Sequence, residues 1–214
     1  MKASTVRGQE VERGTNNMTT KIAIIGKGNV GEALAEGLKK AGYEIRFGST
    51  DPKEPVDKVS EWGDVVILAV PWTSHVKIAK AAGDYLNDKT VVDVSNILTP
   101  TYELAIGFST SGAEELQKLL PRARVVKAFN TVFATTMKTG KVLGERLTVF
   151  VAGENPESKV IVRKLAEDIG FDAVDAGPLK SARYLEPLGM LNIKLGYGLK
   201  MGTDIGIRLV EKAA

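Results

Sequence analysis

The sequence predicts an α/β protein built on a doubly wound, mainly parallel sheet, with a helical segment at its carboxyl end. Three observations predict it. From Lys21 onward the apolar runs are near-continuous in Val, Ile and Leu, as in strands covered on both faces. These runs alternate with stretches of helical periodicity, the βαβα order of a sheet with helices on either side. Between the first run and the first helical stretch stands Gly26-Lys27-Gly28-Asn29-Val30-Gly31, a G-x-G-x-x-G pattern.

Taken in order, "KIAII" (21–25) is a buried strand by its β-branched content, and "NVGEALAEGLKKAG" is a helix. Val30, Leu34 and Leu38 share one face of that helix and Gly42 stops it. Strands follow at "EIRF" (44–47) and "DVVILAV" (64–70), then a helix over "WTSHVKIAKAAGDYL" (72–86) and a strand at "TVVDVS" (90–95). Ser111 and Glu114 have capping-box spacing ahead of "AEELQKLL", which leads through Pro121 into the strand "RVVKAF" (124–129). A Thr-rich loop precedes the strand "LTVFVAG" (147–153). Asn155-Pro156, a cap followed by a first-turn proline, opens the next helix, and "FDAVDAG" (171–177) is the last strand. From Pro178 the chain reads as helix in pieces, interrupted by Pro187 and several glycines. Gly198, Gly202 and Gly206 recur at intervals of four, so on a helix they would share a face. Glycine costs about 1 kcal/mol against alanine there. Close approach by another backbone or a ligand accounts for the spacing, and so does a loose helix broken by turns.

The expected organisation is a flexible leader over 1–20, a nucleotide-binding domain over 21–177 and a C-terminal helical segment over 178–214. The leader is too polar for a signal peptide, and Met18 is an alternative start. A chain of 214 residues can bury roughly 70% of the surface its unfolded form exposes, so it needs no staples. Cysteine is absent, which excludes disulfides, thiolate metal sites and cysteine nucleophiles and fits a cytoplasmic location. No metal site is expected. A net charge of +3, with no Lys/Arg block carrying interleaved aromatics, gives no sign of nucleic acid as a partner. No uncharged apolar run is long enough to cross a membrane, so a soluble protein is expected.

The glycine pattern follows a strand and opens a helix, the context that gives it meaning as a Rossmann-type dinucleotide loop. Gly26 permits the tight turn, Gly28 lets a pyrophosphate approach the backbone, and Gly31 lets the helix pack closely on the strand. Free N–H groups at the helix start then receive the phosphate charge. Such units usually carry an acid near the end of the second strand, to hold the ribose hydroxyls of NAD. Here the place is taken by Gly48, Ser49 and Thr50, with Lys27 in the loop and Lys53 close behind. Small hydroxyls and nearby cations suit a 2′-phosphate, so NADP(H) is expected over NAD(H), provided that Asp51 turns away. Tyr85 and Lys89 have the Tyr-x-x-x-Lys spacing of short-chain dehydrogenases, but Asn87-Asp88 reads as a helix end between them.

The segments "GKGNVGEALAEGL", "FGST", "AVPWTSH", "VVKAFNT" and "DAGPLKSARYLEPLGMLNI" together resemble the NADP-dependent oxidoreductases that work with the deazaflavin coenzyme F420. The same domain type occurs in the cytoplasmic part of the membrane ferric reductases called six-transmembrane epithelial antigens of prostate. The resemblance runs from Lys21 to about Leu209. It implies that Lys27, Gly28, Asn29 and Val30 hold the pyrophosphate and that Ser49 and Thr50 take the 2′-phosphate. Family members commonly have Ser-Arg here, so Thr50 replaces a guanidinium whose fork suits phosphate. Ala69, Val70 and Pro71 would pass beside the nicotinamide ribose, while Ala128, Phe129 and Asn130 would border its ring. Members of the deazaflavin branch can carry His where Asn130 stands. The resemblance also implies a homodimer built partly on the apolar tail.

Hydride transfer between two flat rings needs positioning more than acid or base groups, so no side-chain catalyst is expected. Trp72 and His75, the only histidine, either edge the acceptor pocket or serve as a packing anchor and a helix-surface residue. Asn130 either bonds a carboxamide or acceptor carbonyl or forms a turn at a strand end. Leu179 would lie against a planar ring, unless "DAGPL" is a simple turn made by Gly177-Pro178. Lys180, Arg183 and Lys194 are the candidate cations for an anionic deazaflavin tail. The acceptor is read as F420, with flavin or another small acceptor as the alternative. A nucleotide-binding module without turnover is the reading from a different class.

Overall fold

The computed structural model describes residues 20–211, Tyr102 apart. The expected leader, Met18 included, lies outside the described residues but for Thr20. The chain runs β1 (Lys21–Ile25), α1 (Asn29–Lys40), β2 (Glu44–Gly48), α2 (Val56–Trp62), β3 (Val65–Leu68), α3 (His75–Ala82) and β4 (Thr90–Asp93). It continues through α4 (Gly112–Leu119), β5 (Arg124–Lys127), the short pair β6 (Lys141–Val142) and β7 (Glu145–Arg146), then β8 (Thr148–Gly153). α5 (Pro156–Ile169), β9 (Asp172–Asp175) and α6 (Ala182–Ile193) complete it.

Seven strands form one sheet in the order β2-β1-β3-β4-β5-β8-β9. Every pairing in it is parallel except β5 with β8. The mainly parallel α/β sheet predicted from sequence is therefore observed. The reversal at β8 was not foreseen, and it follows from the connection. The hairpin β6–β7, rather than a crossover helix, joins β5 to β8, so the chain re-enters from the opposite end.

Alternation along β1 shows how the sheet is covered. Ile22 and Ile24 face a core shared with Leu34 and Leu38 of α1 and Val162, Leu165 and Ile169 of α5. Ala23 and Ile25 face the other core, with Val59 of α2, Ile78 of α3 and Leu116 of α4. Burial of each such Leu or Ile contributes about 1.5–3 kcal/mol. α1 ends as the sequence predicts: Gly42 takes φ +95°, its N–H donates to Lys39 O, and Tyr43 N–H donates to Leu38 O.

α5 begins at the predicted cap. Ser158 N–H donates to Asn155 Oδ1 at 2.8 Å, and Pro156 occupies the first turn. Replacement of Asn155 by Ala is expected to cost about 1 kcal/mol. A urea titration should show the midpoint falling with the slope unchanged.

Three expectations need correction. α2 was missed, because "PVDKVSEW" is short and its apolar positions are sparse. The predicted helix over 72–86 is broken into a 3-10 turn (Trp72–Ser74), α3, and a second 3-10 turn (Gly83–Leu86) entered at Gly83, φ +55°. In the tail, α6 passes through Pro187 and ends in a π turn (Lys194–Gly198). Residues 199–211 are not helical, so no glycine face exists: Gly202 takes φ +83°, and Gly206 packs its backbone against the Leu147 side chain. The Tyr85–Lys89 pair is no dyad. Lys89 Nζ donates to the carbonyls of Ser60, Glu61 and Gly63, where it closes the end of α2.

Candidate dinucleotide-binding site

β1 and β3 are neighbours, and the connection leaving β1 runs to β2 on one side while that leaving β3 runs to β4 on the other, which opens a crevice beyond their carboxyl ends. The glycine loop fills the floor of that crevice. Gly26 takes φ +110° and donates its N–H to Gly48 O at 2.8 Å, and a Cβ on it would run into the Ala69 carbonyl. A Cβ on Gly31 would overlap the Gly26 carbonyl oxygen. Gly28 is different: it is exposed, and nothing lies within 4 Å of where its Cβ would be. The turn, the close helix packing and the open approach thus fall on separate glycines.

α1 starts at Gly28 with no side-chain cap, as do α2, α3 and α6 at their own starts, whereas α4 is capped by Ser111 and α5 by Asn155. The first N–H groups of α1 have no partner within the helix. They point at a surface formed by exposed Lys27, Gly28 and Asn29 and half-buried Val30. This donor set fits a pyrophosphate.

At the end of β2, Ser49 is half-buried, and Thr50 and Lys53 are exposed. Asp51 Oδ1 accepts from Lys53 N–H at 2.9 Å, within the turn that follows β2. Glu54, which the sequence reading passed over, points in: Oε1 accepts from Lys27 Nζ at 2.7 Å and Oε2 from Ser49 Oγ at 3.0 Å. The Lys27 and Ser49 bonds hold the Glu54 carboxyl below the usual carboxylate range. The same pairing raises Lys27. Lys27 is exposed and Glu54 half-buried, and both are charged at neutral pH.

On the β3 side, Ala69 and Val70 are half-buried and Pro71 is exposed at the crevice wall. Trp72 anchors the loop after β4, its Nε1–H donating to Leu98 O at 3.1 Å. With His75 and Ile106 it borders a cavity of about 580 Å³. His75 is not a helix-surface residue. It is 4% exposed, with Nε2 unpartnered and 3.8 Å from Asp93 Oδ1. Burial pushes its pKa down, against the pull of Asp93.

Below this lies an ionic cluster that sequence reasoning missed. Lys127, Asp93 and Glu186 are 0%, 0% and 1% exposed. Lys127 Nζ lies 2.9 Å from Asp93 Oδ2 and 2.9 Å from Glu186 Oε1, and it donates to Ser95 O at 2.6 Å. Glu186 of α6 also accepts from the N–H groups of Gly112 and Ala113, at the start of α4. Asp93 Oδ1 accepts from Ser95 N–H and Oγ. Burial, the largest influence on Lys127, lowers its pKa, but Asp93 and Glu186 outweigh it and hold it raised. Burial likewise pushes Asp93 up, and Lys127 and His75 more than reverse that. The signal was present: one charge sits inside each of two apolar strands, and Asp93 and Lys127 are register partners.

The residues after β5 lie inside the protein. Ala128, Phe129 and Asn130 are 0%, 1% and 5% exposed, and Phe129 takes φ +62°, a left-handed conformation rare for a bulky side chain. Asn130 Nδ2 donates to Asn96 Oδ1 and to Leu185 O, which leaves Oδ1 buried without a partner. Gly189 of α6 rests on this pair; a Cβ there would come within 2.6 Å of Asn96 Oδ1. The amide nitrogen of Asn130 is thus committed to α6, and only its oxygen is free.

The tail residues divide. Leu179 is 3% exposed and packs in the core with Ala113 and Ala182. Arg183 is held by two bonds to Glu114, at 2.8 and 2.7 Å. Lys180 is exposed. Lys194 reaches Glu103 and borders an apolar groove of about 1080 Å³, together with Leu98, Met190, Tyr197 and Leu199. Among the described residues no group of three or more His, Asp or Glu is placed to hold a metal, and no helix is long and apolar enough to cross a membrane.

Sheet order, glycine loop and switch-point crevice define a Rossmann-type dinucleotide-binding fold. Residues 21–97 match the family model described as NADP oxidoreductase, coenzyme F420-dependent, so the family resemblance read from the sequence holds over the first half of the sheet. A solved structure from Arthrobacter sp. FB24, provisionally described as an F420-dependent NADP-reductase, is 28% identical and covers 90% of this chain and 100% of its own, with a TM-score of 0.83. Metalloreductase STEAP3 of Rattus norvegicus is 33% identical over 80% of this chain and 37% of its own length. Metalloreductase STEAP2 of Homo sapiens is 28% identical over 78% and 35%. The chain therefore spans about a third of the length of the curated relatives it matches.

Proposed function

We propose that the protein is an oxidoreductase that binds NADP(H) across the carboxyl ends of β1 and β3 and exchanges hydride with the deazaflavin coenzyme F420. The observation that carries this reading is the open space over Gly28 in front of an uncapped helix start, at the point where the strand order diverges. Lys27, Gly28, Asn29 and Val30 would hold the pyrophosphate, Ser49, Thr50 and Lys53 the 2′-phosphate, and Ala69 to Pro71 the nicotinamide ribose. The Asn130 oxygen is the buried acceptor nearest in character to a carboxamide partner, in keeping with its lack of a bond. The nicotinamide supplies the hydride chemistry; the chain orients it, excludes water and provides no obligatory acid or base.

The acceptor would approach from the side of Trp72 and the apolar groove, with Lys194 and Lys180 available to an anionic tail. A homodimer closed over the exposed tail and a cytoplasmic location belong to the same reading. A second reading puts a flavin or another small molecule in place of F420; the relatives named as metalloreductases, rather than for a deazaflavin, keep the acceptor open.

Purified protein separates the readings by oxidation of NADPH, followed by its absorbance. Turnover with the deazaflavin supports the first, and turnover with riboflavin or FMN alone supports the second. Binding of NADPH with neither acceptor reduced would overturn both and leave a nucleotide-binding module.

A further inference from the structure

The carboxylate missing from the end of β2 arrives from five residues further on. Glu54 is placed by its own backbone: Ser49 N–H donates to Glu54 O at 2.8 Å, Glu54 N–H donates to Asp51 O at 2.9 Å, and Asp51 N–H donates to Ser49 Oγ at 3.0 Å. An isolated bridge between Ser49 and Pro55 closes the loop. The turn thus fixes the Glu54 backbone beside Ser49, and the bonds to Lys27 and Ser49 hold its side chain between them. It is 26% exposed and Lys27 49%, so the cluster faces solvent and the crevice.

Ser49 is one of the residues that would take a 2′-phosphate, and the Lys27 ammonium reaches the same place from the glycine loop, since both bond the Glu54 carboxylate. A carboxylate already satisfies both, with two oxygens in the role of two phosphate oxygens. We propose that Glu54 sets the dinucleotide specificity of this site: its carboxylate occupies the 2′-phosphate position, must be displaced before NADP(H) can reach Lys27 and Ser49, and can itself accept a hydrogen bond from the free 2′-hydroxyl of NAD(H). The inference rests on the reading of the crevice as a dinucleotide site. Electrostatics give its direction. Lys27 and Glu54 sum to zero charge, so the pair offers a phosphate dianion little net attraction, and the Glu54 charge opposes it directly. Without that charge, Lys27 stands alone beside the hydroxyl of Ser49.

The test measures dissociation constants for NADPH and NADH by nucleotide fluorescence, on the wild-type protein, Glu54→Gln and Glu54→Asp. Glu54→Gln keeps the size of the side chain and an oxygen for Ser49 but removes the charge. Its preference for NADPH over NADH is expected to rise by roughly tenfold at low salt and by less at high ionic strength. Glu54→Asp retains the charge and is expected to stay within about threefold of wild type. Glu54→Ala, a second charge-free variant, must move in the same direction as Glu54→Gln. A ratio for Glu54→Gln within about twofold of wild type at low salt would overturn the inference while the dinucleotide reading stands. Failure of the wild-type protein to bind either nucleotide would instead overturn that reading.

Discussion

Lys127→Met is expected to destabilise the protein by about 3–5 kcal/mol, the cost of leaving buried charges without their partner. Asp93 and Glu186 would remain, 0% and 1% exposed, with no cation within the cluster. Stabilities of whole domains are only about 5–15 kcal/mol, so thermal denaturation should show a fall of roughly 10 °C for a chain of this size. The methionine nearly preserves volume, which separates loss of charge from loss of packing. Adding Asp93→Asn and Glu186→Gln should recover much of the deficit, because the carboxylates that Lys127 neutralises are then gone. A triple variant no more stable than Lys127→Met would mean that packing, not charge, accounts for the loss.

The pH dependence follows from the same cluster. In the wild-type protein Asp93 is held below its usual range, so it contributes stability that is present above its unfolded pKa and lost as pH falls. In Lys127→Met the sign inverts. A carboxyl buried without a cation has a raised pKa, the folded state then binds more protons than the unfolded one, and stability grows as pH falls. The deficit of the variant is therefore largest near neutral pH and narrows towards pH ~5. Because Glu186 lies on α6 and Gly112 opens α4, this cluster also holds the C-terminal segment against the ends of β4 and β5.

Legibility in the sequence divided along physical lines. Strands whose two faces are both covered announce themselves as unbroken Val/Ile runs, and the caps at Ser111, Asn155 and Gly42 are local chemistry, so each of these fell where the residues placed it. The reversal of β8 is invisible locally, because a strand's direction depends on what the connection does rather than on the strand. α2 escaped for lack of a long periodic face, and the glycine spacing of the tail suggested a helix that Gly202, at φ +83°, does not continue.

For the site, the loop was legible because its glycines do separate jobs, while Glu54 lay outside the window in which the ribose acid is sought. Lys127 and Asp93 stood in plain view as charges inside apolar strands. Their third partner, Glu186, is far along the chain and only folding brings it near. Leu179 and His75 are both buried, and His75 nonetheless borders the cavity beside Trp72, so its alternative as a helix-surface residue is the one that fails.

Gly28 and Gly31 should respond to the same substitution in different ways, and the contrast tests how the loop works. A Cβ at Gly31 would overlap the Gly26 carbonyl, so Gly31→Ala must push α1 away from the loop or deform the turn. Alanine in a helix is favoured over glycine by about 1 kcal/mol, but forcing atoms into a packed contact costs about 1–3 kcal/mol, so the clash wins and the melting temperature falls. Nucleotide affinity falls with it, because the N–H groups of the first turn move with the helix. Gly28→Ala meets nothing within 4 Å, at φ −92°, a conformation alanine adopts freely. Its stability should drop by at most about 1 kcal/mol, the difference between a glycine and an alanine cap. Its NADPH affinity should drop tenfold or more, about 1.4 kcal/mol, because the methyl group stands where the pyrophosphate must come. Thermal melts with and without nucleotide separate the two cases: Gly28→Ala stays within about 4 °C of the unliganded melting temperature and loses the shift that NADPH produces, whereas Gly31→Ala loses both. Retention of the full NADPH shift by Gly28→Ala would place the phosphates elsewhere than over the start of α1.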